Sequence, residues 1–124
     1  MRDLTRGFSV QDDFQRESWQ ALRLLSKPFA RYGKPGSAVL DGALFCYVLT
    51  TDPEAYLMLE ARPGKDGPVW QYGFAPSTAY PLRASWKETT VWEHNLDAPE
   101  TGLANTLHQR NIAVADPALI PNSP

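Results

Sequence analysis

The stretch Ala43-Leu44-Phe45-Cys46-Tyr47-Val48-Leu49-Thr50, then Thr51-Asp52-Pro53-Glu54, then Tyr56-Leu57-Met58-Leu59-Glu60-Ala61-Arg62, decides the fold class. The first eight residues are apolar on both alternating faces, which suits a central strand covered on both sides. Thr51 to Glu54 is turn chemistry, with Pro53 presetting φ. The returning segment sets Leu57, Leu59 and Ala61 against Tyr56, Met58, Glu60 and Arg62, so one face is aliphatic and the other mixed. Strands joined by turns this short are antiparallel neighbours, because a parallel crossover needs a dozen or more residues.

The same period continues toward the C-terminus. Pro63 to Pro68 is a second turn, and Val69 to Ala75 places Trp70, Tyr72 and Phe74 on one face with Gln71 and Gly73 on the other. After Pro76-Ser77-Thr78, the segment Tyr80 to Lys87 sets Leu82, Ala84 and Trp86 opposite Arg83, Ser85 and Lys87, and Thr89 to His94 adds a short strand. The middle of the chain therefore predicts a meander of about five strands.

Toward the N-terminus the period changes. Residues 1–11 read as a polar lead-in, with Ser9 or Asp12 able to cap a helix. From Asp12 to about Phe29, a helical period gathers Phe14, Ser18, Ala21, Leu22, Leu25 and Phe29 on one side. Asp13, Arg16, Gln20, Arg23 and Lys27 fall on the other side. Pro28 ends or kinks this helix, and Gly33-Lys34-Pro35-Gly36 is a break. At the far end, Asp97 with Leu103 and Leu107 suggests a short helix weakened by Gly102, with His108 on it. The expected architecture is α+β: an antiparallel sheet, an N-terminal amphipathic helix on one face, and a short C-terminal helix. Residues 1–116 would form one domain and residues 117–124 a proline-rich tail.

Composition narrows the function classes. The chain has 124 residues, 43% hydrophobic and 21% charged, as an ordinary globular domain does. One cysteine excludes an internal disulfide, and no apolar run approaches the roughly 20 residues that span a bilayer. The expected setting is cytoplasmic, with no membrane partner and Cys46 a reduced, buried thiol. Residues 1–34 hold seven basic and four acidic residues, and the remainder holds five and ten. That basic excess is small and interleaved with acids, so no nucleic-acid partner is expected.

Motifs for chemistry are few. No serine sits in a Gly-x-Ser-x-Gly elbow and no phosphate-binding glycine pattern is present. Gly64-Lys65-Asp66-Gly67 has the outline of a nucleic-acid-clamping glycine loop, but Asp66 would repel phosphate and the loop joins strands. Glu93 and His94 point to opposite faces of a strand, and His94 and His108 lack metal-ligand spacing. No metal or other cofactor is implied.

The aromatic residues carry the functional expectation. Trp70, Tyr72 and Phe74 belong to the core beneath the helix. One helix of about 10–12 Å diameter cannot cover five strands spaced about 4.7–4.9 Å apart, so part of the sheet is left for the C-terminal segment, another subunit or a ligand. The favoured reading is a non-enzymatic binding or interaction module, a homodimer, taking a small apolar or aromatic molecule or a protein partner. Its surface would carry Tyr56, Glu60, Arg62, Trp92 and His94, with aromatics supplying contact area while Glu60 and Arg62 fix orientation. Two alternatives stand beside it. One is a small isomerase, dehydratase or hydrolase with Glu60 or His94 as general base; the other is a structural subunit of a larger assembly.

Overall fold

A computed structural model describes residues 2–13, 18–95 and 108–112 of the chain, and nearly every element in them is a strand. In chain order these are the one-turn helix α1 (Arg2–Thr5), β1 (Phe8–Asp12), β2 (Gln20–Ala21), β3 (Arg23–Leu24) and β4 (Ala30–Tyr32). Then come β5 (Asp41–Leu49), β6 (Asp52–Arg62), β7 (Val69–Pro76), β8 (Leu82–Trp86), β9 (Thr89–His94) and β10 (His108–Ile112). They form two antiparallel sheets. One runs β2-β1-β8-β9; the other runs β10-β7-β6-β5-β3, with β4 also paired to β5.

The β5–β6–β7 meander and the β8–β9 hairpin follow the alternation of their sequences, but they belong to different sheets. The Pro76 to Pro81 connection carries the chain from one sheet to the other instead of returning it beside β7. A proline at each end of this link supplies no N–H for a continuing ladder. The β5–β6 turn falls at Thr50 and Thr51, and Asp52 and Pro53 are already paired with Leu49 and Val48. Thr50 takes a φ of 59°, unusual for a β-branched residue, and Arg23 Nη2 donates to its carbonyl at 3.0 Å.

The α+β expectation is overturned. Among the described residues the one helix is α1, and the segment expected to form a long amphipathic helix instead supplies β2 and β3, with β4 starting just past its expected end. The helical stripe takes Ala21 with Leu22, whereas a period of two sets Leu22 and Leu24 against Ala21 and Arg23, and two open strand edges decide between the periods. Gln20 and Ala21 pair with β1, while Arg23 and Leu24 pair with β5, so the chain changes sheets at the buried Leu22. The expected C-terminal helix from Asp97 to Leu107, and the tail 117–124, lie outside the described residues. His108 opens a strand beside β7 and is not helical.

The core is the space between the sheets. Ala43, Phe45 and Tyr47 from β5, Leu57, Leu59 and Ala61 from β6, and Trp70, Tyr72 and Phe74 from β7 form one side of it. Leu4, Phe8, Val10, Leu82, Ala84 and Trp92 face them from α1 and the smaller sheet. Phe8 meets Tyr72 at 5.2 Å and Phe74 at 5.5 Å between ring centres, and Phe74 stacks on Trp92 at 5.3 Å. Such tilted and stacked pairs add about 0.5–1.5 kcal/mol each beyond the area they bury. The cover over the aromatic face is thus a second sheet. Its first strand comes from residues 8–12, within and just beyond the presumed polar lead-in.

Candidate ligand site

Strand parity sorts the five residues singled out from the sequence into two groups. Tyr56, Glu60 and Arg62 share the outer face of the larger sheet, the side turned away from the core. Trp92 and His94 share the inner face of β9; both are buried, and their rings stack at 6.1 Å. The structure therefore brings three of the five together and sets the other two in the sandwich interior.

The outer group is completed by residues whose role the sequence does not announce. Tyr32 on β4 lies over Gly42, so close that a Cβ there would collide with its ring, and Gly42 stands directly across from Glu60 in the β5–β6 register. The absence of a side chain at Gly42 lets the phenol reach across β5. Tyr32 Oη donates to Glu60 Oε2 at 2.7 Å, and Arg62 donates to Glu60 Oε1 through Nε at 3.2 Å and Nη2 at 2.8 Å. Both carboxylate oxygens are engaged, which suits an anchor better than a base awaiting a proton. Burial, followed by the hydrogen bond to Glu60, pushes the Tyr32 hydroxyl pKa well up. Beside this cluster Phe29 is 71% exposed and meets Tyr56 edge-on at 6.3 Å.

A second polar group lies at the end of the sandwich where β1 finishes and β6 begins. Asp12 is completely buried on the inner face of β1. The β5–β6 register slips between Tyr47 and Val48, leaving Glu54 unpaired as the extra residue of a bulge; it is 4% exposed. Burial raises the carboxyl pKa of both residues, the neighbouring Asp13 adds to the rise at Asp12, and Asp12 and Asp52 add to it at Glu54. Gln20 opposes the shift at Asp12 and Thr78 opposes it at Glu54. Among the described residues, however, neither Asp12 oxygen nor Glu54 Oε2 has a hydrogen-bond partner. His94 lies across β8 from Asp12, both being in register with Leu82. Among the described residues no group of three His, Cys, Asp or Glu is placed to hold a metal ion. Cys46 is buried on the outer side of β5, where burial raises its thiol pKa.

A cavity lies elsewhere in the molecule. A half-open cavity of about 420 Å³ sits between α1 and the segment that carries β3 into β4. Leu24, Ser26 and Pro28 form its outer wall and Phe45 contributes from the inner face of β5. Thr5 and Arg6 close it from α1 and the residue after it, and Arg31 from β4. Arg31 and Tyr32 project to opposite sides of β4, so the cavity and the Glu60 cluster lie back to back across this strand. Arg31 Nη2 bonds both oxygens of Asp41, at 3.1 and 3.3 Å, which ties the strand to the sheet. The sequence pattern does not bring this lining together, because it divides Thr5 and Arg6, the 24–28 segment, Arg31 and Phe45 among a lead-in, a helix, the stretch after it and a central strand. The alternation of Leu22, Leu24, Phe8 and Val10 was the available signal.

The chain matches no family model, no curated protein and no solved structure.

Proposed function

We propose that this chain is a non-catalytic binding module that takes a small organic molecule into the cavity between α1 and the β3–β4 segment. The observation that carries the reading is the cavity itself: its volume lies within the roughly 300–1,000 Å³ usual for ligand sites. Its lining combines an apolar floor with a few polar side chains, the composition that gives affinity and orientation together. The reading includes a cytoplasmic setting, and a small molecule as ligand in place of nucleic acid. Among the described residues no helix is long and apolar enough to cross a membrane.

The test is a titration of the protein with octanoate and octanamide, followed in amide-correlation NMR spectra. Shifts concentrated at Thr5 to Gly7, residues 24–31 and residues 43–45 support the reading. Unmoved spectra, or shifts confined to other regions, overturn it.

A second reading, pairing of two copies through the outer face of the larger sheet, is favoured by the exposure of Phe29 beside Tyr56. Light scattering decides it: a dimer that Phe29→Glu converts to monomer supports pairing, and a monomeric parent protein rejects it.

A further inference from the structure

The charges around the cavity are one-sided. Among the described residues its lining holds two guanidinium side chains, Arg6 and Arg31, and no carboxylate. From this we infer that the ligand is an amphipathic anion, its acid group held by Arg6 and Arg31 and its apolar body laid against Leu24, Pro28 and Phe45. This ligand class rests on the cavity being the binding site.

Guanidinium stays protonated at every working pH, so both side chains offer a permanent positive charge to the cavity. Their existing partners leave that role open. Arg31 spends Nη2 alone on Asp41, and its Nε and Nη1 make no hydrogen bond among the described residues. Arg6 meets Asp3 at 3.6 Å in a pair whose side chains are 75% and 50% exposed. An ion pair that open to water is weak and readily exchanged. Neither Asp3 nor Asp41 lines the cavity. Ser26 adds a hydroxyl that can donate to the same acid group. The apolar wall would reward chain length, each buried methylene tightening binding about fourfold. A neutral hydrophobe gains from that wall alone; an acid with a short aliphatic body gains from wall and arginines together.

Calorimetric titration of octanoate and octanamide separates the two contributions, since the probes match in length and differ in charge. Octanoate should bind the parent protein about tenfold or more tighter than octanamide. Arg6→Gln and Arg31→Gln should each lower octanoate affinity by about tenfold and leave octanamide unchanged. Added sodium chloride should weaken octanoate selectively, because the cavity is half open and its charges are screened. Equal affinity for the two probes, or arginine variants that bind octanoate as the parent does, overturns the ligand class while the cavity reading stands. Failure of both probes to bind overturns the two together. Arg6 is mostly exposed, so Arg6→Gln keeps the test decisive even if Arg31→Gln, which loses the Asp41 tie, unfolds.

Discussion

Glu60 and Asp12 are both buried carboxylates on strands of this molecule, and they live under opposite conditions. Glu60, 6% exposed, receives hydrogen bonds on both oxygens from Tyr32 and Arg62. Asp12, with no exposure at all, has no hydrogen-bond partner for either oxygen among the described residues; burial raises its carboxyl pKa, and the adjacent Asp13 adds to the rise. The difference is one of neighbours and not of depth. On the outer face, a missing side chain at Gly42 and a cation two residues along the strand convert burial into a fixed ionic cluster. At the β1–β6 end, burial first and neighbouring acids second raise the carboxyl pKa of Asp12 and Glu54.

That contrast can be broken or sharpened in steps, measured against the apolar interior. Phe74→Ala should cost the most, about 3–5 kcal/mol in urea unfolding, because it removes a fully buried ring that stacks on Trp92 and meets Phe8 edge-on. Tyr32→Phe takes one donor from Glu60 and so brings it nearer to the state of Asp12; a loss of about 1–3 kcal/mol is expected in the same assay. Gly42→Ala reaches that end by another route, pushing the half-exposed Tyr32 ring off the sheet. Its cost should be close to that of Tyr32→Phe, and the two changes combined should not add.

The gentlest change concerns pH. Asp12 and Glu54 have carboxyl pKa values raised above their ordinary 3.8 and 4.5, so the folded chain holds these protons more tightly than the unfolded one. The stability they lend is complete below those ordinary values and is lost as pH rises through the raised, folded ones. Asp12→Asn should therefore flatten the decline in stability above about pH 4 and gain on the parent as pH approaches neutrality. Denaturant midpoints across pH check this; a variant whose profile stays parallel to that of the parent contradicts it.

Period-two alternation between Ala43 and His94 was enough to give five strands and to put Tyr56, Glu60 and Arg62 on one side of β6. It also puts Trp70, Tyr72 and Phe74 in the core, but the cover over them is a second sheet and not the expected helix. Phe8, Val10 and Asp12 alternate with Ser9 and Gln11, a strand signal that competes with the helix cap Ser9 or Asp12 also fits. Between Gln20 and Leu24 both periods fit, and the edges of β1 and β5, distant in sequence, settle the choice. Tyr32 joins Glu60 only because β4 folds back on β5, and Glu54 turns inward only because of a bulge. Neither is encoded in a local pattern. The cavity was illegible for the same reason: it is made by three segments whose meeting depends on the sheets already being in place.

The short passage through Leu22 has a mechanical meaning. Residues 20–24 are hydrogen bonded into one layer at their start and into the other at their end, so a single thread sews the two layers along one margin. Neither layer can peel away without pulling stitches out of its neighbour. The described region should thus come apart all at once, and any half of it made alone would be left with an unsewn seam and a bare aromatic lining.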